Sequence, residues 1–261
     1  SRAIGLSPSN LELLVQNWAG VSLNELLAHL SPESVNRRLQ SSAHTINAAF
    51  ALEGSRTRPA RDLFFKIDTV TELECQTQGA GMIFSYGFHP SIFGEMIIVN
   101  WGKVLCGLGY ISAKGQAAAL KEQRNGWEQA QWQHDQKGTE SLGEKISNQI
   151  ENSGEPLRLL LRGTAFQTKV WRALLRVPRG AIISYGDLAR RIGQPHAARS
   201  VGGACGANRL GVFIPCHRVI RENGVISGYR WGIARKHAIL AYEAVTAPYE
   251  SLKLSSARPN P

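Results

Sequence analysis

Cys216 stands in a run of residues that could perform nucleophilic chemistry, Pro215-Cys216-His217-Arg218. Pro215 has no backbone N–H and ends the apolar residues 211–214, which predict a short buried strand. A thiol next to two potential cations can populate its thiolate, the nucleophilic form, near neutral pH. The same pattern also fits an inert cysteine that fills a core as a small hydrophobe. The spacing alone leaves both interpretations open.

Two further residues favour the reactive interpretation. Asn208 lies eight residues before the cysteine, after a run of small residues, and Glu243 ends a later helical pattern. The motif PCHRV at 215–219, this Asn and Glu, and the segments SYGDLA and RSVGGA together resemble the O6-alkylguanine-DNA alkyltransferase family. Its members are also called methylated-DNA–protein-cysteine methyltransferases. The resemblance is close over 156–244 and looser over 81–111.

The resemblance implies an activity and a role for each site residue. The alkyl group of O6-alkylguanine in DNA, with O4-alkylthymine left open, would pass irreversibly to Cys216, so each molecule would act once without a cofactor. His217 would take the thiol proton through water, Glu243 would orient the imidazole, and Asn208 would hold the turn. The expected partner is double-stranded DNA, bound through its minor groove. Substrate and DNA contacts are expected at Ser184, Tyr185, Arg199, Gly202, Gly203, Ala204, Arg218, Val219, Tyr229, Arg230 and Trp231.

Two short helices around a Gly/Pro turn are predicted after Tyr185, which makes a helix-turn-helix candidate. The second helix presents Gly202, Gly203 and Gly206 on one face, although glycine in a helix costs roughly 1 kcal/mol relative to alanine. Such a thin helix suits a minor groove, and close packing against another helix is the alternative. A base must leave the stack before its atoms can react. By resemblance, Arg199 would fill the gap and the tyrosine would bind the flipped guanine.

The positive charge of the chain is concentrated around Cys216. The whole sequence has a net charge of +10. Residues 157–245 carry fifteen Lys and Arg against three acids, whereas residues 1–112 carry eight against nine. This asymmetry indicates a polyanionic partner, although a generally basic, soluble surface would give the same count.

The first 78 residues have a helical pattern. Ser22 and Glu25 form a capping box, and two later helical patterns cover 34–40 and 45–52. The segment resembles the AraC-type helix-turn-helix region of Ada-like bacterial proteins. It lacks the helices before the first recognition helix and the zinc-cysteine sensor domain of those proteins, and its charge is close to neutral. We therefore expect a truncated or vestigial regulatory segment.

The predicted fold class is α+β: an N-terminal helical segment, a small antiparallel β domain, then a mostly helical catalytic domain with a short sheet and a helix-turn-helix. Alternating patterns between 81 and 112 predict the β meander, and 113–135 predict a helix. Residues 136–155 are polar and contain Gly and Ser, which is typical of an exposed linker. The predicted domains are 1–78, helical segment; 79–135, β domain plus helix; 136–155, linker; 156–245, catalytic domain; and 246–261, flexible tail.

Metal, disulfide and membrane chemistry are not predicted. The cysteines at 75, 106, 205 and 216 have neither zinc nor disulfide spacing, and His89 beside a proline fits a structural turn better than a metal site. No apolar run approaches the ~18 residues of a membrane span, and the N-terminus has no signal-peptide pattern. We expect a monomer in the bacterial cytoplasm, associated with the nucleoid while it is on DNA.

Two other function classes fit parts of the sequence. A Cys-His hydrolase would need an oxyanion hole and an open peptide cleft, which a strongly basic region with a thin helix fits poorly. A non-catalytic damage sensor, or a transcription regulator that uses residues 1–78, would bind DNA without accepting an alkyl group. For the alkyltransferase, Arg230 and Trp231 replace smaller residues of some relatives. The bulky indole predicts a narrow alkyl channel, with rapid methyl transfer and poor reaction with O6-benzylguanine.

Overall fold

The structure, a computed structural model, describes residues 6–51, 65–69, 77–150 and 157–247. Three helices come first: α1, Pro8–Ala19; α2, Leu23–Ala28; and α3, Pro32–Ala51. The predicted capping box at the start of α2 is confirmed, since Ser22 Oγ accepts from the Glu25 amide and the Glu25 carboxylate accepts from the Ser22 amide. The two helices predicted at 34–40 and 45–52 are one helix, because no Gly or Pro interrupts α3.

Six strands form one mixed sheet in the order β1-β6-β4-β3-β2-β5. Their bounds are β1, Phe65–Thr69; β2, Ile83–His89; β3, Met96–Trp101; β4, Val104–Tyr110; β5, Gln131–His134; and β6, Leu157–Leu161. The predicted antiparallel meander is confirmed as β2-β3-β4, whereas β1–β6, β4–β6 and β2–β5 are parallel pairs. The helical prediction for residues 1–78 is wrong at β1, because a partner remote in sequence selects a strand there.

β6 links the expected catalytic domain to the preceding sheet. The strand predicted over Leu157–Leu161 is confirmed, but it lies between β1 and β4. Leu159 at its centre is fully buried. The division of the chain at residue 156 therefore does not separate two independent sheets.

The helix predicted over 113–135 is shorter than expected. Helix α4, Gly115–Arg124, is followed by Gly126 with a φ of +84°, a left-handed conformation that stops a helix. The chain then turns through the buried Trp127 into β5. The ring of Trp127 packs on Phe84 with centroids 5.1 Å apart, so an indole that looked helical belongs to the sheet's core.

The linker expected from residue 136 onward is mostly a helix, α5, Gln136–Ile150. Gln136 pairs through its side chain with the backbone of β2, and the Thr139 hydroxyl lies 2.8 Å from Nε2 of the buried His89. Polar side chains that suggested exposure therefore satisfy groups of the sheet. The last residues of the expected linker, 151–155, lie outside the described chain.

The C-terminal region is mostly helical, which confirms the predicted α+β class. Its helices are α6, Ala165–Leu174; α7, Tyr185–Arg191; α8, Ala198–Gly206; and α9, Ile233–Thr246. Two short strands, β7, Ile183–Ser184, and β8, Val219–Ile220, pair in parallel. The predicted helix-turn-helix is α7 and α8. Nε1 of Trp171 in α6 donates to the Ala204 carbonyl at 2.9 Å and fixes α8 on the core. Residues 248–261 of the expected tail lie outside the described residues.

The N-terminal helices pack directly on this region. The buried Ser42 hydroxyl of α3 accepts from the Ile182 amide at 3.0 Å, and Arg38 donates to the Leu240 carbonyl of α9 at 3.2 Å. Trp18 of α1 stacks on Tyr242 of α9 with ring centroids 5.4 Å apart. Helices α1–α3 thus share a core with the C-terminal region.

Candidate active site

Asn208 organises the turn that carries Cys216. Its Nδ2 donates to the carbonyls of Gly211 and Ile214, both at 2.9 Å, and its Oδ1 accepts from the Leu210 amide at 2.8 Å. The strand predicted here is wrong: Gly211 has a φ of +49° and begins a 3₁₀ turn. The Asn208 side chain supplies the hydrogen bonds that a strand partner would otherwise give.

The Cys216 thiol is buried, with only 4% of the residue exposed. Burial raises the pKa of this thiol, whereas the Asn208 amide, 3.2 Å from Sγ, and the Lys236 ammonium lower it. Burial is the larger effect, so the thiol is protonated in the resting protein. The spacing left open whether the thiolate is populated near neutral pH, and the raised pKa favours the neutral thiol. A base has to remove the proton when the sulfur reacts.

His217 and Arg218 both bind Glu243. Nε2 of His217 lies 3.1 Å from Oε1 of Glu243, and Nε of Arg218 donates to Oε2 at 2.8 Å. Arg218 also donates from Nη2 to Oε1. Burial alone would raise the pKa of Glu243, but Arg218 and His217 together hold it well below its ordinary value. Glu243 is thus a buried carboxylate that orients the imidazole, and Arg218 is its counter-ion rather than a cation beside the thiol.

The glycine face of α8 is open. A Cβ placed on Gly203 or Gly206 would meet no atom of the described residues within 4 Å, and one on Gly202 would lie 3.8 Å from the Tyr185 ring. Close packing against the part of the chain that the structure describes therefore does not explain these glycines. Arg199, in the first turn of α8, is exposed. The helix offers a smooth surface with one long cationic side chain near its start.

The match to a known family covers the region that holds this site. Residues 165–245 match the family described as 6-O-methylguanine DNA methyltransferase, DNA binding domain. A crystal structure of Mycobacterium tuberculosis O6-methylguanine methyltransferase is 34% identical, covers 63% of this chain and 95% of its own, and superimposes with a TM-score of 0.53. The chain belongs to the O6-methylguanine DNA methyltransferase family.

Two further proteins are similar to the chain. Mycobacterium tuberculosis OGT in complex with DNA is 34% identical, covers 64% of this chain and 98% of its own, and has a TM-score of 0.52. The Escherichia coli "Bifunctional transcriptional activator/DNA repair enzyme Ada" is 54% identical over 88 residues, 34% of this chain. The chain spans 25% of the length of that curated relative.

Five of the contact residues predicted from the sequence are buried. The Ser184 hydroxyl caps α7, accepting from the Asp187 amide at 2.9 Å. Arg218 is 2% exposed and is bound by Glu243. The Arg218 side chain is therefore occupied by Glu243, and a role of this residue in substrate or DNA binding stays a prediction. The five buried residues are Ser184, Ala204, Arg218, Val219 and Trp231.

Of the other predicted contact residues, Tyr185, Tyr229 and Arg230 interact electrostatically with the Cys216 thiol. Tyr185 is half-buried; burial and the thiols of Cys205 and Cys216 raise its pKa to about 12, so its hydroxyl stays protonated as a donor. Trp231 is buried between Tyr110 and Tyr229, with ring centroids 5.9 and 5.2 Å away. Arg230, next to it, is exposed and donates to the Gly206 carbonyl of α8 at 2.9 Å.

Lys236 is a site residue that the sequence reasoning missed. Its fully buried ammonium donates to the carbonyls of Val219 at 2.6 Å and Ser227 at 2.9 Å. Burial lowers the pKa of Lys236 to about 8, and the thiol of Cys216 opposes that shift. The signal was available: Lys236 precedes Glu243 by seven residues, which places both on one face of α9.

The described residues were expected to hold neither a metal site nor a membrane-spanning helix. Among residues 6–51, 65–69, 77–150 and 157–247, no group of three or more His, Cys, Asp or Glu side chains could hold a metal ion. Within the same ranges, no helix combines the length and apolar character needed to cross a membrane.

Proposed function

We propose that this protein repairs DNA by transferring the alkyl group of O6-alkylguanine to Sγ of Cys216, once per molecule. The observation that carries the proposal is the buried thiol held by Asn208 and followed directly by the His217–Glu243 pair. The names of the relatives support this reaction, as does the DNA bound to one of the structural neighbours.

In the proposed reaction, His217 removes the Cys216 proton through a bridging water. Glu243 carries the charge that stabilises the resulting imidazolium, and Asn208 and Lys236 stabilise the thiolate. The thiolate attacks the alkyl carbon in line, so the S–C bond forms as the C–O6 bond breaks. The product is a thioether, which neither water nor another thiol readily reverses.

The leaving group is the guanine anion. Tyr185 keeps its phenolic proton, because its pKa is raised to about 12, and it can donate a hydrogen bond to the base as charge develops. In the balanced reaction, the proton that the Cys216 thiol gives up is returned to guanine. No external cofactor is needed to complete this balance.

We propose that the DNA approaches α8 through its minor groove. Gly202, Gly203 and Gly206 leave the helix thin enough to enter the groove, and the exposed Arg199 would fill the gap left by the flipped nucleotide. Residues 157–245, with fifteen Lys and Arg against three acids, supply the field that attracts the polyanion.

Mass spectrometry of the intact protein tests this function. Wild type and Cys216→Ala are incubated with a duplex that contains O6-methylguanine. We expect one added methyl group, located on Cys216, and none in the variant. Cys106 and Cys205 should stay unmodified, because each is followed by glycine and not by a histidine that could act as its base. A wild-type protein that binds this duplex without gaining mass would support the damage-sensor alternative.

A further inference from the structure

A cationic groove lies beside the open face of α8. It has a volume of about 560 Å³, and three of its lining residues are Arg162, Arg209 and Arg230. The remaining lining residues are polar or small: Asn125, Gly163, Thr164, Gln167 and Ala207. None of these lining residues is acidic, which makes the groove a place for an anion.

The three guanidinium groups are held in place by the protein. Arg162 stacks on Trp127, 4.8 Å from the ring centroid, and its buried Nε has no hydrogen-bond partner among the described residues. Arg209 donates to the Glu122 carbonyl, and Arg230 donates to the Gly206 carbonyl at 2.9 Å. Planar guanidinium groups fixed in this way match phosphate geometry.

Two acids near the groove reduce its charge without cancelling it. The Glu122 carboxylate lies 3.4 Å from Nη2 of Arg230, and Glu128 interacts electrostatically with Arg162 and Arg209. Both acids are exposed, so solvent and salt weaken their effect on the three arginines. The first turn of α6, capped by Thr164, adds the positive end of a helix dipole to the same wall.

We propose that this groove binds the phosphodiester backbone of the DNA as it leaves the C-terminal end of α8. Ala207 follows α8 directly and lines the groove, and the Arg230 side chain ties the groove to the last residue of that helix. A strand lying along the glycine face would therefore pass from α8 to the three arginines. This inference rests on the proposed function and extends its DNA interface to Arg162 and Arg209.

The salt dependence of DNA binding tests the groove. Affinities of wild type, Arg162→Gln, Arg209→Gln and the double variant for a short methylated duplex are measured between about 50 and 200 mM salt. We expect the slope of log K against log salt to become less steep by about one unit for each phosphate that a variant no longer binds. Lys103→Gln, in the exposed turn between β3 and β4, is the charge-matched control and should keep the wild-type slope.

A second measurement separates loss of the groove from loss of folding or of function. Methyl transfer from free O6-methylguanine base, which has no phosphate, should proceed at the same rate in wild type and in both single variants. If the wild type methylates Cys216 but the variants keep its salt slope, the groove assignment is wrong and the proposed function stands. If the wild type never becomes methylated, the proposed function itself fails.

Discussion

Nδ2 of Asn208 lies 3.2 Å from Sγ of Cys216, and the same nitrogen donates to the Gly211 and Ile214 carbonyls. One amide therefore both shapes the turn and faces the nucleophile. Because this contact opposes the effect of burial on the thiol pKa, the position of the sulfur and its reactivity depend on one side chain.

Replacing Asn208 by alanine should raise the pKa of Cys216 further and slow alkyl transfer. A hydrogen bond to a charged group contributes about 1.5–3 kcal/mol, so we expect a roughly ten- to hundredfold lower single-turnover rate. The measurements are the rate on methylated duplex and the pH dependence of thiol alkylation. Asn17→Ala, on the surface of α1, is the control. An unchanged rate would show that the amide only shapes the turn.

Replacing Glu243 by glutamine should make the free energy of unfolding fall less steeply as the pH is lowered into the acid range. The pKa of Glu243 is well below its ordinary 4.5 in the folded protein, so its contribution is complete above about pH 4.5 and is lost as the pH falls below that value. The variant leaves Arg218 buried without a counter-ion and should lose about 3–5 kcal/mol near neutral pH. Urea unfolding at stepwise lower pH should show the difference in unfolding free energy between wild type and variant becoming smaller. A difference that stays constant with pH would contradict this prediction.

Replacing Lys236 by methionine should weaken both the fold and the reaction. The carbonyls of Val219 and Ser227 lose their charged donor, at a cost of about 1–3 kcal/mol for each group left unsatisfied. The thiol also loses the cation that lowers its pKa most, so methyl transfer should slow even at saturating DNA. Lys121→Met, on the exposed face of α4, should change neither quantity. Chemical unfolding and single-turnover kinetics decide the outcome.

Two adjacent serines of α3 provide a matched test of how the N-terminal helices are attached. Ser42→Ala removes the acceptor of the buried Ile182 amide and should cost about 1–3 kcal/mol of unfolding free energy. Ser41→Ala, one residue earlier and exposed, should change stability by less than about 0.5 kcal/mol. Equal effects in thermal and urea unfolding would show that α3 is not docked through Ser42.

Replacing Trp231 by glycine should open space next to Tyr229, which interacts electrostatically with the Cys216 thiol. The indole packs between the rings of Tyr110 and Tyr229 and leaves little room for a large alkyl group. Wild type should therefore react quickly with O6-methylguanine and poorly with O6-benzylguanine. The variant should gain reactivity with the benzyl substrate, whereas Trp101→Ala, on the exposed end of β3, should not. The transfer rates of both proteins with both substrates test this prediction. Similar wild-type rates with the two substrates would contradict the narrow-channel hypothesis.

The features that the sequence predicted well depend on short-range signals. The capping box at Ser22, the helix-turn-helix and the meander follow from neighbouring residues. Three of the wrong predictions concern β1, β5 and α5. Each is decided by a remote partner: β1 by β6, β5 by β2, and α5 by the groups it satisfies on β2.

The electrostatics of the site were the least predictable part. The position of Arg218 two residues after Cys216 suggested that it activates the thiol. Its side chain instead donates to Glu243, twenty-five residues away. The thiol pKa is set mainly by burial, which is a property of the folded core. Lys236 was overlooked because a lysine on an apolar helix face usually reaches solvent, and here three loop and strand carbonyls capture it.

The place of β6 between β1 and β4 limits how this molecule can be divided. A recombinant fragment that starts at residue 156 would contain β6 without β1 and β4, the strands that pair with its two edges. Bare, apolar edges recruit strands from other molecules, so such a fragment should precipitate or assemble rather than behave as a minimal repair module. A shortened protein for engineering should therefore retain the β2-β3-β4 meander as well as the region that holds Cys216.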